Sequence, residues 1–189
     1  ISKIRKIYFK KNNSFSKRKL INQIKSRERN YFTFIYNNNF KLNILKDDLI
    51  RILNFYQNNG YRNVKAQYIF EYDNNSNYFD VYFNIDEGNK FFINEILINN
   101  QNNNLNDNQI NEAKSILEKY KIENLKNFTY DENFLNNIKD DLSNYIFSQG
   151  LYFFEIATLE KVEQDQVSVR FDIISADPTY AKSIDIIGN

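Results

Sequence analysis

The sequence predicts an α+β chain made of two tandem β-α-α-β-β units, each with two helices on a three-stranded sheet. Three observations carry this. A strand-plus-turn recurs at Ile7-Tyr8-Phe9-Lys10-Lys11-Asn12, Ile96-Leu97-Ile98-Asn99-Asn100-Gln101 and Ile184-Asp185-Ile186-Ile187-Gly188-Asn189, with starts 89 and 88 residues apart. A fixed long period marks an array of small domains. Within each period, two helical segments precede two segments whose apolar residues alternate at period two. The expected domains are 1–90 and 91–178, with 179–189 opening a further repeat of a longer chain.

The first unit opens on a strand over Ile4 to Phe9. Ser16 suits an N-cap, because its hydroxyl can accept an amide of the first turn. Phe15 and Leu20 flank it at the spacing of a hydrophobic staple. In the second unit Leu105 and Ile110 flank an Asn106 cap, with Gln109 at the capping-box position. Lys17, Arg18 and Lys19 place positive charge where the helix dipole disfavours it, so the first helix is expected to be the weaker of that pair. The second helix of unit one carries Leu45, Leu49, Ile52, Leu53 and Tyr56 as one apolar stripe. Its counterpart carries Leu135, Ile138, Leu142, Tyr145 and Ile146. Gly60 and Gly150 close these helices as left-handed C-caps.

Two strands then form a hairpin in each unit. Val64, Ala66, Tyr68, Phe70 and Tyr72 alternate with Lys65, Gln67, Ile69 and Glu71, so one face is buried and the other wet. The turn Asp73-Asn74-Asn75-Ser76-Asn77 leads to Val81, Phe83 and Ile85. Unit two repeats this with Phe154 and Ile156, a turn near Glu163-Gln164-Asp165, then Val167, Val169, Phe171 and Ile173. Asp86-Glu87-Gly88 and Ser175-Ala176-Asp177-Pro178 close the two units. A three-stranded sheet leaves two edges, and one of them should present unpaired backbone groups.

The composition removes whole classes of chemistry. There is no Cys and no His, so disulfides, thiolate zinc sites, Cys nucleophiles and Ser-His-Asp triads are excluded within these residues. No nucleophile, base and orienting group can be assembled, so no enzyme, cofactor or metal is expected. Net charge is +1, which points away from nucleic acid. The charge is uneven: residues 1–29 hold eleven Lys or Arg against Glu28 alone. The plain reading is a solvated basic face; the sharper one is contact with an acidic partner or a membrane surface of anionic headgroups. The pair Asp47-Asp48, matched by Asp140-Asp141, reads as solvated surface near a helix start. Tyr31, Phe32, Phe34 and Tyr36 read as filling beneath a long connection, with a client-binding patch as the alternative.

The helix end Tyr56-Gln57-Asn58-Asn59-Gly60-Tyr61, the strand end Val81-Tyr82-Phe83-Asn84-Ile85-Asp86-Glu87-Gly88 and the opening Ile184-Asp185-Ile186-Ile187-Gly188-Asn189 together resemble POTRA domains of BamA-type outer-membrane assembly factors. The Gly-Asn turn is intact in the third copy, and Lys11-Asn12 replaces it in the first. Arg27-Glu28-Arg29-Asn30-Tyr31-Phe32 is similar to the inter-helix stretch of a third POTRA domain. The units would then be the third and fourth of five, each with a mixed sheet, and Tyr180 to Asn189 would open the fifth.

The resemblance implies a periplasmic, non-catalytic scaffold of an outer-membrane protein. It would bind unfolded outer-membrane proteins and assembly lipoproteins by β-augmentation and hand clients to its own C-terminal β-barrel. It also implies that the edge is the second strand of each unit, over Val64 to Tyr72 and Phe154 to Val162. The expected binding residues are Val64, Lys65, Ala66, Gln67, Tyr68, Ile69 and Phe70. A related transporter, translocation-assembly or secretion-pore POTRA pair, or a surface interaction array, is the alternative.

Overall fold

The computed structural model describes residues 2–29, 38–101, 105–120 and 128–175. Among these, strands β1 (Lys3–Lys10), β2 (Lys65–Asp73) and β3 (Tyr78–Asp86) accompany helices α1 (Lys17–Ile21) and α2 (Leu42–Gln57). Then follow β4 (Phe92–Asn100), α3 (Asp107–Lys119), β5 (Phe128–Thr129), α4 (Glu132–Ser148), β6 (Phe154–Glu163) and β7 (Gln166–Ser175). Contacts divide the chain into two units. One holds Ile1–Phe92 with Thr129–Glu132; the other holds Ile93–Phe128 with Asn133–Asn189. No described helix is long and apolar enough to cross a membrane. The calls on Tyr31, Phe32, Phe34, Tyr36, Pro178 and the third copy from Tyr180 lie outside the described residues.

The first sheet has the order β1-β3-β2. β1 and β3 are separated in the chain by both helices and β2 and run parallel, whereas β2 and β3 form a hairpin and run antiparallel. The helices are amphipathic and cover one sheet face. Ile4 and Ile7 of β1, Val81, Phe83 and Ile85 of β3, Leu20 of α1, and Leu45, Ile52 and Tyr56 of α2 make the buried centre. Leu49 and Leu53 pack at its margin.

α1 spans five residues, and Ser16 caps it by accepting the Lys19 N–H at 3.3 Å. α3 spans thirteen and has the full capping box, in which Asn106 and Gln109 each accept the other's backbone N–H. The difference follows the charges: α1 has no acid in its first turn, whereas α3 has Asp107 there.

One reading of the carboxylates is corrected here. Asp48 is not surface but fully buried. It lies three residues after Leu45 and four before Ile52, so it shares their helix face. Its carboxylate accepts the N–H groups of Lys25 at 2.7 Å and Ser26 at 2.8 Å, and Arg51 donates to it at 2.9 Å. Asp47 is exposed.

The second sheet has the order β5-β4-β7-β6. It is four-stranded and not three-stranded as expected, because the two-residue β5 joins its margin. Ile93, Ile96, Val169 and Phe171 of this sheet and Leu135, Ile138, Leu142 and Ile146 of α4 are buried. Gly60 and Gly150 both adopt positive φ, +96° and +81°. So do Lys11 at +62°, Asn77 in the β2–β3 turn and Gln164 in the β6–β7 turn.

The Asp86-Glu87-Gly88 turn does more than end a strand. Glu87 accepts from the Tyr56 hydroxyl at 2.9 Å, the Ser14 N–H at 2.9 Å and the Ser14 hydroxyl at 2.8 Å. Tyr61 in turn donates to Ser14 Oγ at 2.7 Å. One carboxylate thus joins the β1–α1 turn, the end of α2 and the end of β3. Burial and this bond push the Tyr56 phenol well above the ordinary tyrosine range. Glu87→Ala orphans a buried hydroxyl and is expected to cost about 2 kcal/mol of stability in urea titration; a loss below about 0.5 kcal/mol would show the network to be dispensable.

Candidate strand-docking edge

The two edges of the first sheet are treated differently by the chain. On the β1 side the backbone is occupied. Ile4 donates its N–H to Asn38 O at 2.8 Å, and Phe40 donates to Ser2 O at 2.9 Å. Arg29 donates to Arg5 O at 3.2 Å, and Asn38 Nδ2 donates to Ile4 O at 3.1 Å. Ile7 gives its N–H to Glu28 Oε2 at 3.1 Å, so the sole acid of the basic N-terminal region closes part of this edge. The β1–β3 register also shifts between Ile4 and Lys6. Such irregularity and cover are how proteins blunt a sheet edge.

Among the described residues β2 has none of these devices. It pairs with β3 on one side and is the last strand of its sheet on the other. Its central run Ala66-Gln67-Tyr68-Ile69-Phe70 holds no charge, proline or glycine. Nine residues pair in unbroken register from Lys65 with Asp86 to Asp73 with Tyr78. The outer side therefore offers a long, regular row of backbone donors and acceptors.

Of the residues expected at this edge, Lys65, Ala66, Gln67, Tyr68, Ile69 and Phe70 lie on β2. Val64 lies just before it, buried, with its N–H donated to Tyr61 O; it anchors the strand and does not line the edge. Ala66, Tyr68 and Phe70 share the helix-covered face. Lys65, Gln67 and Ile69 share the opposite one, since successive side chains alternate.

That opposite face is polar but ordered. Arg5 donates to Asp80 at 3.0 and 2.6 Å and to Asp73 at 3.1 Å. The Arg5 guanidinium holds the Asp80 carboxyl below the usual carboxylate range. Tyr8 and Tyr82 stack with centroids 4.8 Å apart, and Tyr82 donates to Glu71. Asp80 is nearly buried on this face, where Arg5 holds it.

Sequence reasoning missed a group on the helix-covered face. Phe40 stacks on Phe79 at 3.9 Å and meets Phe70 at 5.0 Å. Phe79 meets Phe70 at 5.6 Å and Tyr72 at 4.7 Å. These four rings form an aromatic shelf at the hairpin end of the sheet. The period-two series Tyr68, Phe70, Tyr72 was its legible part; Phe40, set by a long connection, had no periodic signal.

The second sheet also ends on a second-strand edge, β6. Its exposed Glu155, Glu160, Lys161 and Glu163 stud the strand with charge, and Lys161 pairs with Glu163. Charged edges resist strand addition, and β2 carries charge as well, at Lys65, Glu71 and Asp73 around its uncharged centre. Among the described residues no cluster of three or more acidic side chains could hold a metal ion.

The POTRA family model, described as a surface antigen variable number repeat, matches residues 2–88. Among solved structures, the fold is similar to Haemophilus influenzae BamA POTRA3-5, at 15% identity and a TM-score of 0.68 over 91% of this chain and 65% of that one. It is also similar to BamA from Haemophilus ducreyi lacking POTRA domains 1-3, at 14% identity and a TM-score of 0.55 over 93% of this chain. This chain spans 29% of that structure. POTRA1-2 of the periplasmic domain of Omp85 from Anabaena matches at 11% identity and a TM-score of 0.54, over 94% of this chain and 98% of that one. No curated protein matches.

Proposed function

We propose that the chain is a periplasmic scaffold of an outer-membrane β-barrel assembly factor, because residues 2–88 match the POTRA family model and the fold is similar to that of tandem POTRA domains. It receives unfolded outer-membrane proteins, and accessory lipoproteins, as strands added to β2, and serves a C-terminal barrel of the same protein. The role is binding and not turnover.

The observation that carries this reading is the contrast between the two edges of one sheet. The β1 side is covered over Ser2 to Ile7, and among the described residues the β2 side is long, regular and without such cover. An edge left open in this way accepts an extended chain through backbone hydrogen bonds, which are nearly independent of the guest's sequence. A carrier of many different clients needs that tolerance.

Proline tests it directly, because it removes one backbone N–H. Alternate N–H groups of β2 face outward, so Tyr68→Pro probes one phase and Gln67→Pro or Ile69→Pro the other. The probe is a urea-unfolded outer-membrane β-barrel protein diluted into buffer. Proline in the phase facing β3 is expected to unfold the hairpin. Proline in the outward phase is expected to leave the thermal melt in place and weaken binding about tenfold, the effect of losing one to two net hydrogen bonds. A folded outward-phase variant that binds like the wild type would overturn the proposal.

A further inference from the structure

We infer that the helix-free face of the first sheet carries a small anion site beside the β1–α1 turn, built for a phosphoryl group on a hydroxylated carrier such as a sugar or glycerol. This inference does not rest on the strand-addition reading.

Lys11 is the first sign. It adopts a φ of +62°, a left-handed angle that disfavours any residue with a Cβ. The aligned position in the third copy of the strand-plus-turn is Gly188, and glycine takes that angle without strain. The first copy thus keeps a lysine where glycine would be more stable, and strain of this kind collects at ligand sites. Lys11 lines a pocket of about 250 Å³ together with Lys65, Gln67, Asn84 and Asp86.

Strand register explains the convergence. Asn84 of β3 pairs with Lys10 on one side and Gln67 on the other, and Asp86 pairs with Lys65. Paired residues share a face, so three lysines stand around two amides and one acid. Lys10 Nζ lies 5.8 Å from the ring centres of both Tyr8 and Tyr82, which hold it over this face. Among the described residues none of the three lysines has an ion pair, and the side-chain amides of Gln67 and Asn84 have no partner. The other acids of the face are engaged, Asp80 by Arg5 and Glu71 by Tyr82.

The second unit has no such site. Its corresponding row is Asn99, Asp172 and Ala157, and the Asp172 carboxylate there accepts from Asn99 and Arg170. The units also differ in charge. The first holds 17 Lys or Arg and 10 Asp or Glu, net +7; the second holds 8 and 14, net −6. Anions are drawn to the first unit.

The side chains narrow the ligand. Ammonium groups bind phosphate as point charges, and three of them suit a group with more than one negative charge. Gln67 and Asn84 can donate to and accept from hydroxyls, while Asp86 accepts from a hydroxyl and repels a second anion. The pocket is smaller than the roughly 300–1,000 Å³ of drug-sized sites, so a small head group fits it.

The test titrates the isotope-labelled 189-residue chain with glycerol phosphate, inorganic phosphate or glycerol, read by amide shifts. Glycerol phosphate is expected to move the amides of Lys10, Lys11, Lys65, Gln67 and Asn84, and to bind about threefold more tightly than inorganic phosphate. Lys11→Gly is expected to weaken binding about fivefold and yet raise the melting temperature by about 3 °C, because cation and strain leave together. Lys65→Gln is expected to weaken binding similarly. Lys46→Gln, the same loss of charge on α2, is expected to leave it within about twofold. Vesicles of phosphatidylglycerol, with phosphatidylcholine as the control, fix the source. Binding to them that Lys11→Gly abolishes assigns the group to a lipid; binding of glycerol phosphate alone assigns it to a soluble ligand. Unchanged binding in Lys11→Gly and Lys65→Gln, or an equal loss in Lys46→Gln, would overturn the site. Inorganic phosphate bound as tightly as glycerol phosphate would overturn the ligand class and leave an adventitious ion only.

Discussion

Asp48→Ala is expected to lower the stability of the first unit by about 3 kcal/mol, while Asp47→Ala next to it changes stability by less than about 0.5 kcal/mol. The two residues are consecutive on α2 and differ in what they face. The Asp48 carboxylate is buried and accepts two N–H groups, Lys25 and Ser26, from the segment after α1, together with Arg51. Removing it leaves two backbone donors without their acceptor, each costing about 1–3 kcal/mol if not rehydrated. It also frees a guanidinium whose side chain is 31% exposed and can turn to water, so Arg51 adds little to the loss. Asp48→Asn keeps an acceptor of the same shape and is expected to lie between the two, near 1.5 kcal/mol. Hydrogen exchange resolved by segment would read the result. Opening should accelerate across α1, α2 and β1, with little change in α3 and α4. An Asp48→Ala protein with wild-type exchange in α1 would remove the account of how this short helix is held.

The case of Asp48 shows where sequence reading reached and where it stopped. Strands and helices were legible because burial repeats at fixed periods: Ile4 and Ile7 with Val81, Phe83 and Ile85 on the sheet, and Leu45, Ile52 and Tyr56 on α2. The N-caps were legible because capping is local, and Ser16 and Asn106 do what their positions implied. Asp48 was misread because polarity was given more weight than phase. The spacing Leu45, Asp48, Ile52 puts the carboxylate on the apolar face, and a charge at that phase signals a buried partner. Edge protection was harder to see. The closure of β1 depends on Glu28, Arg29, Asn38 and Phe40, which reach it through a long connection with no period. The shelf shares that difficulty, since Phe40 is placed by the same connection.

The open state of the β2 edge is also not a property of one strand. β6 occupies the same place in its own sheet. The two strands differ by degree in side-chain chemistry: Glu155, Glu160, Lys161 and Glu163 on β6 against Lys65, Glu71 and Asp73 on β2. Two copies of one fold thus differ in how charge is spread along equivalent edges.

Gly60→Ala and Gly150→Ala are expected to differ sharply, although the two glycines end equivalent helices with similar backbone angles. Both have positive φ, and an alanine there costs about 1–2 kcal/mol, partly offset by a stiffer unfolded chain. At Gly150 that is the whole effect, because a Cβ would meet nothing within 4 Å. At Gly60 the Cβ would lie 2.8 Å from Thr129 Cγ2 and 3.0 Å from both Lys90 Cγ and Phe91 O, all within the first unit. The Thr129 and Lys90 side chains can yield, but Phe91 cannot move freely. Its N–H donates to Gly60 O at 2.8 Å, and its carbonyl accepts the Tyr130 N–H at 2.9 Å. The steric term therefore adds about 1–3 kcal/mol at Gly60. Urea unfolding followed by unit-resolved hydrogen exchange should show a loss near 3 kcal/mol for Gly60→Ala and near 1 kcal/mol for Gly150→Ala. Equal losses would mean that the crowding around Gly60 relaxes at little cost, and that backbone angle alone explains why glycine stands at both helix ends.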